Sequence, residues 1–141
     1  MYSRLYIYSD GGARGNPGPS AAAYLILSED GKTLKSESRF LGKHTNNQAE
    51  YEALIDALQN AAIFRSEEIV CHLDSELVCK HLTGDYKVKN VELRRLYDKA
   101  TELRKCFRKV SFVNVPRTNR FIQEADRLVN EKLDETVGKD A

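Results

Sequence analysis

The hydrophobic pattern changes period once, near residue 45, and that change restricts the fold more than any other feature. Before it, apolar residues come in runs suited to strands: 2–10, rich in Tyr, Ile and Leu; 20–28, "SAAAYLILS"; and 33–41, "TLKSESRFL". The last two runs flank "EDGK", a tight-turn signal, so they are expected to pair as an antiparallel hairpin, with the more polar third run at a sheet edge. After the change, Tyr51, Leu54, Ile55, Leu58, Ala61 and Ala62 share one helical face. The spacing predicts a helix over 46–64, capped by Thr45 or Asn46. "EIVCHLD" at 68–74 is nearly continuous in apolar residues, as expected of a strand buried on both faces. Helices at 75–83 and 92–106, a strand at 109–115 and a helix at 120–135 follow. Early strands followed by alternating helices and strands predict an α/β fold. Its mixed five-stranded sheet would have three antiparallel strands plus two parallel ones, with helices on both faces.

No linker-like stretch divides the 141 residues, so one domain over 1–141 is expected, with 136–141 as a disordered tail. The chain opens directly on a strand pattern, without a basic flank and apolar stretch, and has no run approaching a membrane span. A soluble, unprocessed protein is expected. Cys71, Cys79 and Cys106 form no C-x-x-C pair, which favours reduced thiols and a cytoplasmic location over a disulfide or zinc framework. Net charge is only +1, yet residues 77–109 hold ten Lys and Arg against four acids. A solvated helix face and a polyanion contact are equally good readings of that run taken alone.

Four acids fall where an open α/β sheet builds its ligand sites. Asp10 and Asp74 are expected at the carboxyl ends of the first and fourth strands, and Glu50 in the first turn of the long helix. Asp126 lies four residues after Ile122 and three before Val129, on the apolar stripe of the last helix. Singly, Asp10 reads as a turn residue, Asp74 as a helix cap and Glu50 as a first-turn acid favoured by the helix dipole. Jointly, four acids aimed at one place repel unless a multivalent cation holds them. Oxygen ligands without a thiolate or a spaced His pair point to Mg²⁺ or Mn²⁺.

The blocks "SDGGARGNPGPSAAAY", "HTNNQAEYEALIDAL", "HLDSELVCKHLTGDYKVKN" and "EADRLVNEKL" resemble the four motif blocks of type 1 ribonuclease H, in order and approximate spacing, from residue 5 to about 134. Their wording is closest to the short archaeal and bacterial branch, and no basic-protrusion insertion is present. The resemblance implies a ribonuclease H-like fold and a metal-binding catalytic quartet of Asp10, Glu50, Asp74 and Asp126. It also implies two divalent ions and hydrolysis of the RNA strand of RNA/DNA hybrids to 5′-phosphate and 3′-hydroxyl ends.

Such an enzyme has to sense 2′-hydroxyls, and side-chain amides suit that task, so Asn47 and Gln48 are candidates. Gly11 and Gly12 would bring backbone close to the polyanion. By analogy with the family, Asn16, Thr45 and Asn46 would hold a phosphate, and Lys87, Lys89 and Asn90 would contact the other strand; Asn46 reads equally well as a helix cap. Many family members carry a His in the loop before the last acid, whereas no His lies between Val110 and Asp126 here; Arg117 or Asn114 would substitute for it, or water would carry out the step. His72 reads as a half-buried, hydrogen-bonded residue. Double-stranded RNA is a second candidate substrate; neither a membrane nor an obligatory protein partner is expected. A non-catalytic hybrid-binding module is the alternative, but it has no need of all four acids. Another nuclease of the same fold, such as an integrase or exonuclease, leaves "NPGP" and "TNNQAE" unexplained.

Overall fold

The computed structural model describes residues 2–138. Five strands, β1 (Tyr2–Ala13), β2 (Gly18–Leu27), β3 (Thr33–His44), β4 (Ser66–Leu73) and β5 (Lys109–Asn114), form one sheet in the order β3-β2-β1-β4-β5. The β1–β2 and β2–β3 pairs are antiparallel, and β4 and β5 continue parallel to β1. Four α-helices complete the fold: α1 (Asn46–Ala61), α2 (Glu76–Thr83), α3 (Val91–Arg104) and α4 (Arg120–Val137). The mixed sheet, the polar edge strand and the helical runs are as the hydrophobic pattern predicts. Residues 62–64 form a 3-10 turn rather than a continuation of α1. Residues 136 and 137 belong to the last turn of α4; of the expected tail, 139–141 lie outside the described residues.

Strand alternation divides the core between two faces. Leu5 and Ile7 of β1, Tyr24 and Ile26 of β2, and Ile69, Cys71 and Leu73 of β4 pack on the stripe of α1, with α2 and α3 beyond it. Tyr51 of α1 and His81 of α2, both buried, join these helices through a 2.8 Å hydrogen bond. On the opposite face, Ala21, Ala23, Leu25 and Leu27 receive Ala125, Val129 and Leu133 of α4. Because α4 covers the β1–β3 side of the sheet, the second face of β4 is only partly covered, and Val70 and His72 are half-buried. The expectation of burial on both faces of β4 is corrected accordingly. Cys71 and Cys79 are buried free thiols and Cys106 is an exposed one. No helix among the described residues is long and apolar enough to cross a membrane.

Candidate active site

The site opens where the two neighbours of β1 part company. The last parallel pair is Tyr8 with His72, whereas antiparallel pairing with β2 continues to Ala13 opposite Ser20. Asp10 therefore lies within β1, paired with Ala23, rather than at the strand's end, and Gly11 and Gly12 are strand residues. Beyond Tyr8 one side of β1 is released from the sheet. Asp10 occupies this gap, and Asp74 follows the last residue of β4.

Gly11 explains how Glu50 arrives there. A Cβ on Gly11 would lie 2.2 Å from the Ala49 carbonyl oxygen and 2.6 Å from the Glu50 nitrogen. Only glycine lets α1 descend onto the strand at this point. Glu50 is then buried, and its Oε1 accepts the Gly11 N–H at 3.3 Å. The start of α1 is fixed by a capping box: Thr45 Oγ1 accepts the Gln48 N–H at 3.1 Å, and Gln48 Oε1 accepts the Thr45 N–H at 2.8 Å. Asn46 Oδ1 accepts the Ala13 N–H at 2.8 Å, and the Asn46 N–H donates to Asn16 Oδ1 at 2.9 Å, which ties the β1–β2 loop to the helix.

Ser75, not Asp74, caps α2, accepting the Val78 N–H at 3.3 Å. Asp74 is thus spared the capping role that explained it singly. Its basic neighbour is Arg117, whose Nε lies 3.5 Å from Oδ2; the Arg117 side chain is 92% exposed, so this pair is heavily screened. Asp126 corrects the expectation of a core-facing acid. Ile122, Ala125, Val129 and Leu133 are the buried stripe of α4, and Asp126 on its flank is exposed at the cleft.

Asp10, Glu50 and Asp74 each present an oxygen within 4.8 Å of the others. Together with Asp126, Asn47, Gly12 and Arg117 they line a cleft of about 460 Å³. Burial pushes the Asp10 carboxyl up to about 7, helped by the charges of Asp74 and Asp126 and opposed by its hydrogen bond with Glu50. Burial, then the Asp10 charge, raises Glu50 well above the usual carboxylate range, with partial relief from the Gly11 N–H. Glu50 Oε2 and Asp74 Oδ1 are buried without a hydrogen-bond partner. Orphaned oxygens in a cluster of repelling acids are the donor set that a hard divalent cation completes. The residues fit Mg²⁺ or Mn²⁺.

Comparison with known proteins agrees. The family described as reverse transcriptase-like matches residues 8–132. Ribonuclease HI of Halobacterium salinarum is 43% identical over 132 residues, covering 94% of this chain and 65% of that protein. Its crystal structure superposes with a TM-score of 0.90 and is covered to 99%. The chain belongs to the ribonuclease H family. A bifunctional protein of Mycobacterium tuberculosis is 38% identical over 132 residues, 93% of this chain and 36% of its own length. The chain thus spans less than two thirds of either curated relative. The crystal structure of LC11-RNase H1 in complex with RNA/DNA hybrid has a TM-score of 0.89 and 39% identity, covering 94% of this chain and 99% of that one.

Within this ribonuclease H framework the remaining sequence candidates fall into two groups. Gly12 and Asn47 line the cleft, and Asn47 forms no side-chain hydrogen bond among the described residues. Gly11 and Asn46 also line it, but both already shape or fasten the start of α1, as do Asn16, Thr45 and Gln48. Asn90 caps α3, accepting the Leu93 N–H at 3.0 Å. Lys87 and Lys89 are exposed in the α2–α3 loop and form no salt bridge among the described residues. Asn114 donates to the Leu73 carbonyl at 3.1 Å, so of the two substitutes for the family's loop His, only Arg117 reaches an acid of the cluster. His72 hydrogen-bonds Ile7 through Nδ1 at 2.9 Å and stacks on Tyr8 with centroids 4.1 Å apart, as a half-buried structural His should. Sequence reasoning missed Ile122, Gln123 and Ser75 in the cleft. The first two lie one turn before Asp126, a spacing that could have flagged them.

Proposed function

We propose that the chain is an endonuclease that hydrolyses the RNA strand of RNA/DNA hybrids, leaving 5′-phosphate and 3′-hydroxyl ends, with two Mg²⁺ or Mn²⁺ ions. One observation carries the reading: acids from β1, α1 and the β4–α2 junction bring oxygens within 4.8 Å of each other, in a cleft where two of their atoms are buried and unpartnered. The hybrid held by LC11-RNase H1, a relative of 39% identity, supports the substrate class.

Asp10, on the central strand of the sheet, Glu50, Asp74 and Asp126 would hold the ions. Bound there, the ions supply activation of a water and charge stabilisation on the leaving 3′ oxygen. The chain's own residues supply position. Asn47 and the free amide donors of Gln48 would read 2′-hydroxyls, and the backbone at Gly11 and Gly12 would meet the RNA strand. The loop–helix junction of Asn16, Thr45 and Asn46 would hold a phosphate, and Lys87, Lys89 and Asn90 the backbone of the DNA strand. Arg117, 3.5 Å from Asp74 across a screened pair, would face the substrate at the rim of the cleft.

The chain is read as one catalytic domain working in the cytoplasm, where its three thiols stay reduced. The direct test is incubation of labelled RNA/DNA hybrid, RNA duplex and DNA duplex in Mg²⁺ or Mn²⁺, with and without chelator. Chelator-sensitive loss of the hybrid's RNA strand is expected. Binding of hybrid without cleavage in either metal would instead establish a non-catalytic module.

A further inference from the structure

The β1–β2 loop grips both helices that carry acids of the site. On one side, Ala13 and Asn16 exchange hydrogen bonds with Asn46 at the start of α1. On the other, the Arg14 guanidinium reaches the last turns of α4. It donates to Asp134 Oδ1 at 2.7 Å, to the Gly138 carbonyl at 3.3 Å and to the Asn130 carbonyl at 3.4 Å. Asn130 in turn donates through its side chain to the Asp126 carbonyl at 3.0 Å. Asp126, Asn130 and Asp134 follow one another at four-residue intervals along one edge of α4. Arg14 therefore holds the rail on which Asp126 is mounted, and only three residues separate it from Asp10.

Such a hold is needed for two reasons. The sheet beneath α4 at this level is made of small side chains, Ala21 and Ala23 under Val129 and Leu133, and a Cβ on Gly12 would lie 3.8 Å from Val129 Cγ1. Small residues permit close approach but offer few ridges against sliding along the helix axis. In addition, Asp74 and Asp126 each repel Asp10 where the N-terminal half of α4 borders the cleft. A cation at the carboxyl end of α4 also complements the helix dipole.

We infer that Arg14 is a positioning residue of the metal site, fixing the axial position of α4 and so the placement of Asp126 opposite Asp10. The inference rests on the proposed reading of the four carboxylates as a divalent-cation site.

The test measures Mn²⁺ binding alone by calorimetry, and kcat and KM on hybrid, for the folded wild type, Arg14→Ala, Asp134→Ala and their double variant. Lys132→Ala is the control. It removes a 3.2 Å pair with Glu135 from the same helix, and its side-chain exposure of 30% equals that of Arg14. Arg14→Ala and Asp134→Ala are each expected to weaken Mn²⁺ binding about 10-fold and to lower kcat at unchanged KM. The double variant should lose no more than either single one, and Lys132→Ala should match wild type. Arg14→Lys, which keeps the charge but cannot span the acid and both carbonyls, should fall between. Unaltered Mn²⁺ binding in Arg14→Ala, or equal losses in Lys132→Ala, would overturn the role of Arg14 and leave the metal site standing. Absence of Mn²⁺ binding by wild type would overturn both.

Discussion

The carboxylate of Glu50 and the amide of Gly11 meet at 3.3 Å across the contact between α1 and β1, at the point where a Cβ on Gly11 would strike the Ala49 carbonyl. Clearance and hydrogen bonding therefore act together: the helix can lie low on the strand, and the acid is delivered beside Asp10. Gly11→Ala forces the backbones apart and should cost about 1–3 kcal/mol of stability in denaturant titrations, with loss of hydrolysis. Gly12→Ala, whose added atom would meet nothing closer than 3.8 Å, should stay within about 0.5 kcal/mol of wild type.

Burial and mutual repulsion make the acids a stored cost in the metal-free protein. Asp10→Asn and Glu50→Gln should each raise stability in chelator, by about 0.5–2 kcal/mol, while turnover of hybrid in Mg²⁺ falls at least about 100-fold. Thermal melts in chelator paired with activity assays check both halves. Near-normal turnover in Asp10→Asn would refute the proposed mechanism.

The same burial sets a pH dependence. Folded Asp10 holds its proton up to about pH 7, whereas an ordinary aspartate releases it near 3.8. Between those values the unfolded chain binds fewer protons than the folded one, so stability declines as pH rises. The contribution is complete below about pH 3.8 and gone above about pH 7. Raised Glu50 acts in the same direction. Melting temperatures in chelator should therefore fall across this window relative to those of Asp10→Asn. Saturating Mg²⁺, which favours the ionised acids, should flatten the decline.

Lys87 and Lys89 are exposed and free of salt bridges among the described residues. If they contact phosphates, replacing both by Ala should weaken hybrid binding and reduce the slope of log affinity against log salt by roughly 1–2. An unchanged slope would remove them from the interface. Arg94 and Arg95, already paired with Asp98 and Glu92, should alter it less.

The convergence of Asp10, Glu50 and Asp74 was legible because each lies within a few residues of a change in the hydrophobic pattern, although Asp10 is inside β1 and Glu50 is the fifth residue of α1 rather than a first-turn acid. The exposure of Asp126 was not. Helical spacing reports the angle of a side chain about its axis, while burial depends on what faces it on that side: Ala125 and Val129 meet β2, and Asp126 beside them opens onto the cleft. Nor was the continuation of β1 to Ala13 legible, since Gly11 and Gly12 weaken any strand signal; tertiary pairing with Ala21 and Ala22 overrides it. The resemblance to ribonuclease H named the polar residues around the α1 start, but it could not separate contact from scaffold. Asn46 shows that one side chain can be engaged in holding a helix start and still border the cleft.

The helix that bears Asp126 follows all five strands in sequence, yet it packs on β1, β2 and β3, which are synthesised well before it. A nascent chain can lay down its sheet and bring three of the acids together while the fourth is still unsynthesised. On the proposed reading, translation thereby delays assembly of the full carboxylate set until α4 has folded back over the earlier strands, so that a prematurely released chain lacks Asp126.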